Sequence, residues 1–91
     1  MLISPDEINK SLSIAGWKYS DKKISKSFMF STYMDGIEFV TKIAELSEIN
    51  NHHPDIIINW CKVNVSITSH DMSGVTTKCV NLAIGIDLIV K

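Results

Sequence analysis

Apolar residues that recur every three or four positions predict three helices in this chain. They lie in segments 4–15, 32–50 and about 76–90, and Gly16 ends the first helix. Serine, proline, aspartate and glutamate open the first segment in the pattern of a capping box. The second helix, which Thr32 begins, carries two apolar stripes that together cover about half of its circumference, wider than the roughly 100° of a surface helix. Either this helix is deeply buried, or one stripe packs against another subunit.

Four strands are predicted between these helices. They occupy 17–19 and 24–30 in the first half of the chain, and 56–58 and 63–67 in the second. The uninterrupted isoleucines of 56–58 predict a buried strand, whereas the alternation in 63–67 predicts a half-buried one. Short connections favour antiparallel hairpins. The order α-β-β-α-β-β-α therefore predicts an α+β domain, in which a four-stranded antiparallel sheet has three helices packed on one face.

Composition limits the class of protein further. The 91 residues allow one domain, 1–91, with a modest core that oligomerisation would help to stabilise. Ten acidic residues stand against nine lysines, and the lack of arginine argues against nucleic-acid binding. No apolar stretch reaches the roughly twenty residues of a membrane helix. Since no secretion signal is visible either, we expect a cytoplasmic protein with no membrane partner.

All three histidines lie close together in the sequence, at the ends of predicted elements. His52 and His53, followed by Pro54, come between a helix and a strand, and His70 follows the last strand. Histidine transfers protons near neutral pH, and functional groups concentrate on loops that a scaffold holds. Neighbouring side chains of an extended segment point to opposite sides. The pair is therefore expected to flank a ligand or to serve two roles, and His70 to point away from the apolar face.

Three further side chains are candidates for the same site, each with a structural alternative. Glu48, in the last turn of the second helix, could orient a histidine by accepting its ring proton, or could be a solvated carboxylate. Trp17 and Trp60 could stack on a flat heterocycle or fill the core. A zinc site that combines the histidines with a cysteine is also conceivable. Because Cys61 and Cys79 lack paired spacing, we expect reduced thiols and no metal.

The spacing of these residues resembles the signature of the pterin-4a-carbinolamine dehydratases. The resemblance covers most of the chain and rests on Glu48-x3-His52-His53-Pro54-x5-Trp60-x9-His70, Gly16-Trp17, Gly74-Val75-Thr76 and Asn81-Leu82-Ala83. It implies the α+β fold predicted above and the dehydration of a 4a-hydroxytetrahydropterin without metal or redox cofactor. It also implies acid roles for His52 and His70, a base and pterin-contact role for His53, and supporting roles around them.

The resemblance implies partners as well. The substrate would be a pterin, and the pathway partner an aromatic amino acid hydroxylase. A homodimer or homotetramer is expected, with Phe39, Ile43 or Leu46 of the second helix buried between subunits. The alternative is a non-catalytic binding module, since relatives in animals also act as dimerisation cofactors of a transcription factor. The surface of helix 32–50 would then carry the interaction.

One position departs from the family pattern. The family usually has an aspartate three residues after the threonine of the Gly-x-Thr segment, and here that position is Cys79. An acid there would complete a capping box on the last helix and would place a carboxylate near the site. Cysteine does neither at neutral pH unless its pKa is lowered. We therefore still expect the family fold, but the sequence does not decide whether the chain has the full activity of the family.

Overall fold

The predicted order of elements is confirmed by a computed structural model, which describes residues 2–12 and 15–90. The end of the first predicted helix, at 13–14, lies outside the described residues. The elements are α1 (Pro5–Leu12), β1 (Lys18–Ser20), β2 (Lys23–Met29), α2 (Tyr33–Asn50), β3 (Asp55–Ile58), β4 (Lys62–Ile67), a short 3₁₀ helix (His70–Met72) and α3 (Thr77–Ile89).

The four strands form one antiparallel sheet in the order β1-β2-β4-β3, as the sequence predicts. Asp21 and Lys22 join β1 to β2, with φ angles of 52° and 63°. Positive φ at both residues of a two-residue loop gives the twist that suits a tight hairpin. The central strands β2 and β4 pair over six residues, from Ile24 opposite Ile67 to Met29 opposite Lys62. They form the platform on which the helices rest.

One face of the sheet packs against the helices and forms the core. The alternation predicted for β4 is confirmed, because Val63, Val65 and Ile67 are fully buried while the residues between them are partly exposed. The buried apolar side chains that complete this core are Ile8, Trp17, Ile24, Phe28, Phe39, Ile43, Val75, Cys79, Leu82, Ala83 and Ile86. The opposite face is polar near the centre, where Ser25 contacts Ser66.

The prediction that strand 56–58 is buried is wrong. Ile57 is 62% exposed and Ile58 is 39% exposed. The reason is the position of β3 at the edge of the sheet, where it has a neighbour only in β4. Ile57 pairs with Asn64 and therefore shares the face that points away from the helices. The branched residues indicated a strand correctly, but they did not indicate which strand would lie in the middle.

The two apolar stripes of α2 have different environments. Phe39 and Ile43 are buried in the core of the single chain, and Leu46 packs against that core. The expectation that Phe39 or Ile43 is buried between subunits is therefore wrong, whereas for Leu46, which is only partly buried, it stays a prediction. The other predicted stripe consists of Tyr33, Ile37, Val40 and Ala44, and we call it the outer stripe. Tyr33 is 46% exposed and Ala44 is exposed, whereas Ile37 and Val40 are half-buried. The exposed residues of this outer stripe are therefore accessible to another molecule.

Both ends of α2 are capped, and the C-terminal cap directs the loop that carries His52 and His53. The side chain of Thr32 caps α2 by accepting a hydrogen bond from the backbone of Asp35, as predicted. At the other end Asn51 adopts a left-handed conformation, and the backbone N–H of His52 donates to Ser47 at 3.1 Å. Such a cap turns the chain sharply out of the helix.

No helix in the part of the chain that the structure describes is long and apolar enough to cross a membrane.

Candidate functional site

A cleft of about 420 Å³ opens where three segments of the chain meet. The segments are the C-terminal end of α2, the connection after β4 that contains the 3₁₀ helix, and the first turn of α3. Polar side chains dominate the lining, which includes Asn51, His52, Ser69, Asp71, Thr76 and Lys78. The cleft therefore suits a small polar ligand, and His52 is the histidine that lines it.

Beneath the cleft, His52 contacts a group of three small polar side chains. Nε2 of His52 lies 3.3 Å from Sγ of Cys79, which lies 3.3 Å from Oγ of Ser69. Ser69 Oγ and Thr76 Oγ1 are 2.7 Å apart. Cys79, Ser69 and Thr76 are 0%, 4% and 5% exposed. We call these four residues the thiol cluster; it connects the imidazole of His52 to the start of α3.

The surroundings of His52 favour its neutral form. Burial lowers the pKa of His52 below its ordinary value of 6.5, and the positive charge of Lys78 lowers it further. The carboxylate of Asp71 raises this pKa, whereas His53 and His70 lower it by smaller amounts. The net lowering means that the ring gives up its proton more readily than a free histidine does.

His53 has a different environment from its neighbour. Its Nε2 lies 2.5 Å from Oε2 of Glu48, and both side chains are more than half exposed. Glu48 thus contacts a histidine, as the sequence suggested, and the residue it contacts is His53. His52 and His53 point to different partners, which agrees with the expectation for adjacent residues of an extended segment.

His70 is the first residue of the short 3₁₀ helix, and its side chain is exposed, as predicted. The turn containing it closes on itself, because the backbone N–H of Gly74 donates to the carbonyl of Ser69 at 3.3 Å. His70 does not line the cleft, but its charge contributes to the lowered pKa of His52, after the larger effect of burial. His70 lies between Ser69 and Asp71, both of which line the cleft.

Comparison with known proteins identifies the family. A family model described as pterin 4 alpha carbinolamine dehydratase matches residues 1–89. The chain belongs to this family. A protein of Roseiflexus sp. (strain RS-1), named "Putative pterin-4-alpha-carbinolamine dehydratase", is 41% identical over 88 residues, which cover 96% of this chain and 95% of the relative.

Solved structures of similar proteins agree with the fold. A crystal structure of a transcriptional coactivator/pterin dehydratase from Brucella melitensis matches with a TM-score of 0.92 and 26% identity, covering the whole of both chains. A pterin dehydratase-like protein, described as a RuBisCO assembly factor in the alpha-carboxysome, matches with a TM-score of 0.67. At 22% identity over 80% of this chain and 84% of its own, that second likeness shows the fold alone.

Two tryptophans and a proline that the sequence singled out as candidates also do not line the cleft. Trp17 is 1% exposed, and its indole N–H donates to Asp87 at 2.9 Å, so it is a core residue. Trp60 is 80% exposed in the turn between β3 and β4. Pro54 is partly buried and precedes β3, where it ends the loop that carries the histidines.

The described residues contain no group of three or more His, Cys, Asp or Glu side chains that could hold a metal ion. The two cysteines are both free thiols: Cys79 lies in the thiol cluster, and Cys61 is partly buried near Ser31. The two cysteines therefore lie in different parts of the molecule.

Sequence analysis missed several residues of the site. Asp71 and Lys78 supply opposite charges at the cleft, and Ser69 and Thr76 complete the thiol cluster. A signal for Ser69 was present, because it continues the buried alternation of β4, in which a polar residue is unusual. Thr76 and Cys79 are the N-cap and third residue of α3, positions whose side chains meet at a helix start.

Proposed function

We propose that this chain dehydrates 4a-hydroxytetrahydropterin to quinonoid dihydropterin and water by histidine general acid–base catalysis. Membership of the family suggests the class of substrate. The observation that carries the proposal is the polar cleft beside His52, with His70 at its edge. Its volume of about 420 Å³ lies within the roughly 300–1,000 Å³ of small-molecule sites.

The reaction needs an acid and a base. The bond from C4a to its hydroxyl oxygen breaks, and the oxygen leaves as water after it accepts a proton. The N5 proton passes to a base, and its bonding electrons form the double bond between N5 and C4a. In this proposal His52 and His70 act as acids, and His53 is the base and pterin contact. Such proton transfers accelerate reactions by about 10²–10⁴-fold.

The environments of the two adjacent histidines support these different roles. Burial lowers the pKa of His52, so its protonated form is a strong donor. Glu48 lies against His53, and a carboxylate stabilises the imidazolium that forms when a base takes up a proton. The product of the reaction would return to a tetrahydropterin in the recycling that an aromatic amino acid hydroxylase requires.

The decisive experiment measures dehydration of freshly generated 4a-hydroxytetrahydropterin. We expect this chain to accelerate the appearance of quinonoid dihydropterin well above the spontaneous rate at the same pH. A rate equal to the spontaneous one, with a folded protein confirmed by circular dichroism, would exclude the enzyme. A His52→Ala variant controls for contaminating activity, since it should lose most of the acceleration.

A non-catalytic protein-binding or dimerisation module is the second candidate. The observation in its favour is the exposed apolar surface at the start of α2, where Tyr33 of the outer stripe and the adjacent Met34 are 46% and 68% exposed. The solved Brucella melitensis relative is described as both a coactivator and a dehydratase. A binding module would tolerate the loss of His52 and His70 but not a charged substitution at Met34, and this difference separates the candidates.

A further inference from the structure

Cys79 combines full burial with polar contacts, which is unusual for a cysteine side chain. Its side chain is fully buried, yet it has three polar neighbours within 3.7 Å, on three separate turns of the chain. A buried thiol that only filled space would need apolar contacts alone. Its contact with Nε2 of His52 connects it to a histidine that lines the cleft.

The donors and acceptors of the thiol cluster favour one direction for its hydrogen bonds. In that order Thr76 would donate to Ser69 across 2.7 Å, Ser69 to Cys79 across 3.3 Å, and the Cys79 thiol to Nε2 of His52 across 3.3 Å. In this order every hydroxyl and thiol proton has an acceptor. In the reverse order the Thr76 proton could reach only the sulfur at 3.7 Å among the contacts of the described residues. Sulfur is a weak acceptor, so the first order is favoured.

We propose that Cys79 is a positioning residue for His52: its thiol donates to Nε2, so that neutral His52 carries its proton on Nδ1 and presents that N–H to a molecule in the cleft. The hydrogen bond on one ring nitrogen determines the tautomer and the orientation of the other. Ser69 and Thr76 hold the sulfur in place. This inference rests on the proposed function only for the identity of the molecule in the cleft.

The charge of the group that contacts Nε2 of His52 matters as much as the position of that group. An uncharged thiol that donates to Nε2 stabilises neutral imidazole. The charged or titratable groups that face His52 are Lys78, Asp71, His53 and His70. Lys78 and the two histidines act with the thiol against protonation, and Asp71 acts against them. Replacing only the thiol therefore tests its share of the effect.

The experiment observes the imidazole of His52 directly by nitrogen NMR of uniformly labelled protein, with His52→Gln to assign the signal. In the wild type at pH about 7.5, well above the ordinary histidine pKa, we expect the tautomer with the proton on Nδ1. Cys79→Ser retains a donor and should preserve this tautomer. Cys79→Ala removes the donor, so the proton should shift substantially toward Nε2, the nitrogen that it carries in free imidazole side chains.

Cys79→Asp reverses the polarity of the contact. A carboxylate accepts from Nε2 and favours the charged ring, so the protonation equilibrium of His52 should move at least tenfold toward imidazolium. If the enzyme assay succeeds, the pH at which the rate is half-maximal should move upward by the same amount in this variant. A shift in the NMR titration alone would show that positioning is real while the proposed function fails.

Two results would overturn the inference. The first is an identical His52 tautomer in wild type and in folded Cys79→Ala. The second is a wild-type ring with its proton on Nε2, which would mean that His52 donates to the sulfur. Cys79→Ser keeps the comparison possible if Cys79→Ala does not fold, because loss of the Nδ1 tautomer in Cys79→Ser would also contradict the proposal.

Discussion

The two adjacent histidines of the loop after α2, His52 and His53, have different surroundings. On one side His52 is partly buried and contacts an uncharged thiol. On the other side His53 is exposed and contacts the carboxylate of Glu48. The two adjacent histidines thus differ in burial and in partner, and burial disfavours the charged ring of His52. In the proposed dehydration, these different surroundings separate the histidine that acts as an acid from the one that acts as a base.

The largest expected effect comes from removing the imidazole of His52 or of His70. We expect His52→Ala and His70→Ala each to lower the dehydration rate at least tenfold, since general acid–base catalysis contributes about 10²–10⁴-fold. Far-ultraviolet circular dichroism should be unchanged, because neither side chain belongs to the apolar core. If both variants keep the wild-type rate, the acid assignment is wrong.

A second prediction concerns the exposed side of the loop, which continues into β3. Since Ile57 and Ile58 lie on an edge strand and Trp60 follows it, we expect a homodimer or homotetramer that buries this region. Exposed edge strands pair readily with other chains. Ile57→Lys should raise the dissociation constant at least tenfold in sedimentation equilibrium, which corresponds to about 1.4 kcal/mol.

Ile84→Lys is the matched control for this experiment. Ile84 is 48% exposed on α3, so the same substitution adds the same charge to another apolar surface position. Equal weakening by both variants would show a general charge effect instead of an interface at β3. A stable monomer of the wild type at micromolar concentration would contradict the prediction entirely.

The contrast between the two histidines was partly predictable from sequence. Alternation in an extended segment predicted that His52 and His53 point to different sides, and the position of Glu48 predicted a histidine contact. The element order and the antiparallel sheet also followed from local patterns. Each of these features depends on residues that are close in sequence.

The thiol cluster was not predictable in the same way. It joins Ser69 and Thr76 to Cys79 and to His52, which is 27 residues earlier, and only tertiary packing brings them together. The exposure of Ile57 was also missed, because local sequence does not determine which strand lies at an edge. Trp17 shows a third limit, since an indole that stacks on a ligand and one that fills a core look alike in sequence.

The third prediction uses pH to compare the two sides. Because burial lowers the pKa of His52 in the folded chain, the unfolded chain binds more protons near its ordinary pKa of 6.5. The free energy of unfolding should therefore rise with pH through this range and fall as the solution is acidified. Urea titrations from pH about 7.5 to about 5.5 should show this slope, and His52→Gln should reduce it.

His53→Gln is the control for the pH dependence. It removes a histidine of the same loop that is exposed, so it should change the slope less than His52→Gln does. The opposite ranking would mean that His53, and not His52, carries the linkage between protonation and folding. That outcome would also reverse the comparison between the buried and exposed sides.

The smallest expected effect concerns Glu48. Glu48→Gln keeps the shape of the side chain but removes the charge beside His53, which should become a poorer proton acceptor. Exposed ion pairs contribute about 0–1 kcal/mol, so we expect a rate loss of no more than about fivefold. Stability should change little, because both partners are more than half exposed. Raising the salt concentration should reduce the difference between wild type and variant, since salt screens exposed charges.

Glu45→Gln gives the matched control, because Glu45 is an exposed carboxylate on α2 three residues before Glu48. It alters the net charge equally while leaving the contact of His53 intact. A rate loss that is the same in both variants would mean that only the general field of the protein is involved. A loss of a hundredfold or more in Glu48→Gln alone would mean instead that this carboxylate takes part in proton transfer, and the simple division between a buried acid and an exposed base would no longer hold.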